Sequence, residues 1–216
     1  MKTLTKYLNE KLVIFPSQVD EKLVIFPSQV NEKLVINKDY KSPYTCAPKS
    51  LEELRKIIDD RYNKLGPGTK DIPIDFNDVD VSNIDSFRDK YKGIFEGTKF
   101  EYIDISDWDV SNIESMQDMF NGCEQLKSVG DLSNWDVSKV KNMNAAFGNC
   151  EQLVSIGDLS SWNVSNAEHI SFMFYNCKLL KSVGDLSNWD ISNVINMGFM
   201  FCDSGIINTP KWYKNN

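Results

Sequence analysis

Apolar positions recur along most of this chain in a single frame. Trp108, Trp135, Trp162 and Trp189 lie 27 residues apart, and the text around them repeats: SDWDVSNIESMQDMFNGC, SNWDVSKVKNMNAAFGNC, SSWNVSNAEHISFMFYNC and SNWDISNVINMGFMFCDS. Ahead of the first tryptophan, Phe100, Ile103 and Ile105 match an LxxLxL strand, with Ile103 and Ile105 alternating onto one side. In the later units Leu126, Val129, Leu132 and Trp135 sit three apart around a Gly-Asp pair, and Gly130, Gly157 and Gly184 predict a repeated bend or bulge. Behind the tryptophan the spacing changes. Ile113, Met116, Met119, Phe120 and Cys123 recur at three and four residues, which predicts one face of a short helix. Ser111 is placed as its N-cap with Glu114 closing a capping box; Ser165 and Glu168 repeat the box, while Ser138 and Ser192 keep the cap. Gly93, Gly122, Asn149, Asn176 and Asp203 fall where a helix end needs a left-handed residue.

A unit this small cannot bury its own apolar face, so neighbours must stack, with strands about 4.8 Å apart in a parallel sheet along one side. A worn copy at residues 80–93 precedes the four clear units, and a half unit (IINTPKWYKNN) follows them. The expected fold is therefore α/β: a leucine-rich-repeat-type solenoid over residues 76–209, with one short parallel strand and one short helix per 27-residue unit. Residues 41–75 are expected to form an N-terminal helical cap. Ser50 and Glu53 make a capping box there, Leu51, Leu54, Ile57, Ile58, Tyr62 and Leu65 form one stripe, and Gly66-Pro67-Gly68 stops the helix. Residues 210–216 form the C-terminal end, where Pro210, Trp212 and Tyr213 would blunt the last strand. Residues 1–40 differ in kind: EKLVIFPSQV occurs twice, letter for letter, and EKLVI a third time. Such identity reads as tandem duplication on a flexible tail, either without a role of its own or as an attachment arm, since LVIF is β-prone.

The strings WDVSN and MF, the cysteine that follows, and the LxxLxLSNW lead-in resemble the BspA-like leucine-rich-repeat surface proteins of bacteria, over about residues 75–207. The resemblance implies the repeat fold and a bacterial surface protein engaged in adhesion and host contact. The N-terminal text departs from that expectation: Glu10 and Lys11 interrupt any apolar signal region, and no lipid-anchor cysteine or membrane-spanning run is found.

Charge narrows the partner. Residues 101–200 carry fourteen acids against five lysines, whereas residues 1–50 carry eight lysines against five acids. An acidic body repels phosphate, so nucleic acid and an anionic membrane are not expected as partners, and with no long apolar run neither is membrane insertion; a protein or an extended glycan is. His169 is the sole histidine, which removes most Ser-His-Asp, Cys-His and His-zinc arrangements, and its place beside Ser115, Asn142 and Asn196 reads as exposed and incidental. Cys123, Cys150 and Cys177 form a column, with Ser204 in fourth place, and a column spreads ligands in a line where a metal needs convergence. Five cysteines read as reduced thiols.

The acidic columns are Asp104, Asp131, Asp158 and Asp185 in the strands, and Asp109, Asp136 and Asp190 (Asn163 in the third unit) after the tryptophans. Turn capping is the leading reading. Calcium binding and a glycosidase pair are the others, the last disfavoured because every unit offers the same pair. No catalytic residue, metal or cofactor is expected. The expected partner-binding strip consists of Tyr102, Asp104, Lys127, Asp131, Asp158, Lys181 and Asp185, on strand positions where the units differ. The alternative function is a structural or assembly component docked through the N-terminal tail.

Overall fold

The computed structural model describes residues 46–214. The tail expected over residues 1–40, with its duplicated segments, lies outside the described residues.

Helix α1 (Leu51–Leu65) starts at Ser50, whose extended backbone leaves its hydroxyl to accept the Glu53 amide at 3.2 Å. The Glu53 carboxylate reaches back to the amide of Lys49 at 2.7 Å. Gly66 (φ 77°) ends the helix, its N–H donating to the Tyr62 carbonyl. Leu54 and Ile58 are buried. Tyr62 meets Phe100 edge-on at 5.1 Å, and the Arg61 guanidinium sits 4.8 Å over the Phe76 ring. The helix thus lies over the aromatic residues that open the repeat region.

Two parallel ladders run through the repeats. In the first, strand β1 (Ile74–Asp75) pairs with β2 (Ile103–Asp104), Ile74 opposite Ile103. The register continues as single bridges from Tyr102 to Ser128 to Ser155. The regular strand expected in every unit is therefore reduced to one bridging residue after β2. Gly130, Gly157 and Gly184, at φ 88°, 93° and 86°, turn the chain two residues beyond each bridge or its equivalent.

The second ladder joins Ser86, Ser115, Asn142, His169 and Asn196 in parallel bridges. It runs through the segment where the spacing predicts a short helix, and that prediction is corrected: among the described residues α1 is the only α-helix, beside a single 3-10 turn at Leu186–Asn188. The backbone gives the reason. Asp118, Ala145, Phe172 and Phe199 occupy one column at φ 50–56°, and Gly122, Asn149, Asn176 and Asp203 another at φ 56–72°, so no helix can propagate. Turn bonds three residues apart survive, as in Ile113 to Val110, Met119 to Met116 and Cys123 to Phe120, and they reproduce the helical spacing of apolar residues. The capping boxes fail with the helices. The Glu114 amide donates to the Asp85 carbonyl of the preceding unit, and its carboxylate pairs with Lys141 at 2.8 Å. Gly93 also serves another purpose than a left-handed turn: a Cβ there would strike the backbone of Asp118.

Backward bonds in this ladder are confined to its first position, where amides of Lys141, Glu168 and Ile195 donate to the carbonyls of Glu114, Lys141 and Glu168; beyond it the bonds between units share one direction. The amides of Met116, Asp118, Phe120 and Gly122 donate to the carbonyls of Asn142, Asn144, Ala146 and Gly148, and the next two steps copy the set in the same sense. Each coil thus points alternate N–H groups toward its C-terminal neighbour and alternate carbonyls back.

Between the ladders lies a core of aligned columns. Phe95, Phe120, Phe147, Phe174 and Phe201 stack with ring centroids 5.0–5.9 Å apart. Trp135, Trp162 and Trp189 stack at 6.5 Å, and each column indole donates Nε1–H to a carbonyl of the unit before: Trp108 to Phe76, Trp135 to Ile105, Trp162 to Leu132 and Trp189 to Leu159. Trp212 extends the column, donating to Leu186 at 2.9 Å and stacking 6.4 Å from Trp189. The cysteine column behaves likewise. Cys123, Cys150 and Cys177 are buried, and their thiols donate to the carbonyls of Phe95, Phe120 and Phe147 at 2.9–3.1 Å. Burial pushes the Cys177 thiol up to about 12. In the fourth place the Ser204 hydroxyl donates within its own unit, to Phe201.

Candidate partner-binding strip

The loop from α1 to β1 and the first ladder shape a shallow cleft of about 360 Å³, lined by Lys70, Pro73, Tyr102, Asp104, Lys127 and Val154 among others. Among them Tyr102 immediately precedes β2 and is half-buried. Both the Glu101 and Tyr102 amides donate to the Pro67 carbonyl, fixing this stretch against the loop after α1. Gly68 permits the approach, since a Cβ there would strike the Tyr102 carbonyl. One unit later, the Lys127 ammonium lies 5.5 Å from the centre of the Tyr102 ring and 2.6 Å from the Glu101 carboxylate. The bond to Glu101 holds Lys127 above the usual lysine range. The cleft therefore offers an aromatic face, an oriented ammonium and the exposed Val154 within two steps of the ladder.

Of the residues predicted from sequence, Tyr102, Asp104 and Lys127 share this cleft; Asp131, Asp158, Lys181 and Asp185 lie beyond its lining and are exposed. Exposure along the strip is uneven. Glu101, Tyr102, Lys127 and Ser128 are half-buried, while Val154, Ser155, Lys181 and Ser182 are exposed.

The aspartates are turn builders. Oδ1 of Asp104, Asp131, Asp158 and Asp185 accepts the amide two residues on, from Ser106, Ser133, Ser160 and Ser187, at 2.9–3.0 Å. A second set of turns after the tryptophans uses Asp109, Asp136, Asn163 and Asp190 in the same way. Hydrogen bonds from Ser160 and Ser187 hold Asp158 and Asp185 below the usual carboxylate range. Among the described residues no three His, Cys, Asp or Glu side chains gather as a metal site. His169, expected to be exposed, is half-buried in the second ladder.

Sequence reasoning missed Lys70 and Pro73, whose place beside Tyr102 follows from the turn at Gly66–Gly68 and not from any repeat position. It also missed the asparagine rungs. Asn149 donates to Asn121 and Asn176 to Asn149, while Asn112, Asn166 and Asn193 each donate to a serine carbonyl of the unit before. The recurring Asn of WDVSN was the available signal.

The family described as "Mycoplasma protein of unknown function, DUF285" matches residues 74–212, which hold both ladders and the lining of the cleft apart from Lys70 and Pro73. The chain belongs to that family. The DUF285 region thus contains all seven predicted strip residues, and α1 lies ahead of it. A leucine-rich repeat protein from Eubacterium ventriosum is similar in structure at 19% identity and a TM-score of 0.34, over 56% of this chain. The chain spans about a third (35%) of that protein's length. No curated protein matches the sequence. No helix of the described residues is long and apolar enough to cross a membrane.

Proposed function

We propose that this chain is a non-catalytic leucine-rich-repeat-type solenoid of the BspA-like kind that recognises a protein or an extended glycan at a bacterial surface. The observation that carries the reading is the Tyr102–Lys127 cleft: an aromatic face and an ammonium held in fixed relation, opening onto exposed positions that recur along the ladder. Partners bind through aromatic anchors set among adaptable polar groups, and an extended ligand can follow a periodic surface from one unit to the next. Tyr102, Lys127 and Lys181 make the contacts, with the turn-forming aspartates Asp104, Asp131, Asp158 and Asp185 setting the spacing of the strip. The test is capture of surface proteins and glycans of host cells by the intact chain, against the triple variant Tyr102→Ala/Lys127→Ala/Lys181→Ala. Loss of capture, with an unchanged unfolding midpoint, supports the strip; undiminished capture refutes it. Protease treatment of intact source cells addresses location: release of repeat peptides without lysis is the expected result.

A further inference from the structure

The last coil leaves an unmatched row of donors. Carbonyls of Asn196, Gly198, Met200 and Cys202 accept the amides of Ile170, Phe172, Phe174 and Asn176, so these four acceptors are directed backward. The amides of Met197, Phe199, Phe201 and Asp203, which correspond to the forward-pointing donors of the coils before, find no acceptor among the described residues. The segment after this coil covers its core through Trp212, which donates to the Leu186 carbonyl, and Tyr213, which meets the Phe201 ring edge-on, and supplies no acceptor to the row. Side chains change at this end as well. The column Glu114, Lys141, Glu168 ends in Ile195, 73% exposed, and the column Asp118, Ala145, Phe172 ends in Phe199, 49% exposed at φ 56°. Met197 is half-buried where its equivalents Met116, Met143 and Ile170 are fully covered by the next coil.

We infer that this C-terminal edge is a docking surface for a partner polypeptide carrying a further coil of the same repeat, which supplies a row of backbone carbonyls flanked by apolar side chains. The edge continues an interface formed at each of the preceding steps, and the occupant is the one chemistry those steps accept. A second copy of this chain does not fit. Two C-terminal edges would set donors against donors, and at the N-terminal end the Arg55 guanidinium of α1 already donates to the Lys92 carbonyl. A regular strand fits poorly too, because it alternates donors and acceptors along one edge, whereas the four positions from Met197 to Asp203 offer donors alone, beside one forward carbonyl at Ile195, the place from which Glu114, Lys141 and Glu168 accept amides of the next coil.

The test uses the full chain and a fluorescein-labelled synthetic peptide of residues 134–160, an interior unit whose carbonyls at Asn142, Asn144 and Ala146 perform this role inside the stack. Saturable binding is expected, with hydrogen exchange slowed at the amides of Met197, Phe199, Phe201 and Asp203. Phe199→Asp restores the residue type of Asp118, which tolerates the left-handed backbone, and is expected to weaken binding by about tenfold or more. Should that variant fold poorly, Ile195→Lys at an exposed site is the substitute, with the same expected loss. Tyr102→Ala is expected to leave peptide binding unchanged, which separates this edge from the proposed strip. No saturable binding, equal binding of a scrambled peptide, or protection confined to other amides would overturn the inference.

Discussion

Oδ1 of Asp131 occupies the space in which a Cβ on Gly157, one unit later, would have to lie: an ideal Cβ falls 2.0 Å from that oxygen. The same oxygen accepts the Ser133 amide at 3.0 Å and so cannot move without breaking its own turn. Gly157 also sits at φ 93°. Gly157→Ala is therefore expected to cost about 2–3 kcal/mol, combining backbone strain with the displaced carboxylate. Urea unfolding of Gly157→Ala, Asp131→Ala and the double variant checks it. The double variant should be more stable than the sum of the two losses predicts.

Acid should loosen the turns. Asp136, Asp158 and Asp185 are held below the usual carboxylate range by hydrogen bonds from the serines two residues on. A carboxyl whose pKa is lower folded than unfolded contributes stability that is complete above about pH 4 and lost as pH falls through the folded value. Asn163 already forms the equivalent turn without a charge. The triple variant Asp136→Asn/Asp158→Asn/Asp185→Asn should unfold near the wild-type midpoint at pH 7 and show a shallower decline between pH 5 and pH 2, both read by thermal melts.

Thiol reactivity should divide the five cysteines. Cys123, Cys150 and Cys177 are buried with their thiols donating to carbonyls, whereas Cys46 and Cys202 are half-buried. Thiolate is the reactive form, and burial suppresses it. At pH 8 a maleimide should modify Cys46 and Cys202 in the native protein and reach the column only in denaturant; mass spectrometry counts the adducts.

Replacing Trp162 by Phe should cost about 2 kcal/mol, because it removes the indole donor from the buried Leu132 carbonyl and reduces the stack with Trp135 and Trp189. Chemical denaturation measures this directly. A loss below about 0.5 kcal/mol would mean that the indole bonds are dispensable.

These outcomes depend on features that were unequally legible. The period, the core columns and the turn-capping aspartates can be read from the residues, because side chains that meet their own copies must repeat in place. The second ladder cannot. Met116, Met119 and Phe120 carry helical spacing, yet Asp118 and its equivalents take positive φ, and in that column only Asp118 is of a residue type that tolerates it, whereas Gly122, Asn149, Asn176 and Asp203 all are. Phe172 adopts it against its preference, held by the ladder on either side, and Phe199 with the ladder on one side alone, so local propensity gave no sign. The cleft lining was legible where it follows the repeat, at Tyr102 and Lys127, and not where the loop after α1 brings Lys70 beside it, since that approach depends on tertiary contact alone.

The indole, thiol and asparagine bonds between units span about one period each, between 25 and 32 residues in sequence. No coil is tied to a distant one by them. Tension applied between the two ends of the described region would therefore have nothing to tear at once; it would peel the stack coil by coil. Each released coil would pay out close to 27 residues of slack, about 90 Å when fully drawn out. A molecule built in this way yields under load in equal steps and can give up one coil while the rest stay folded.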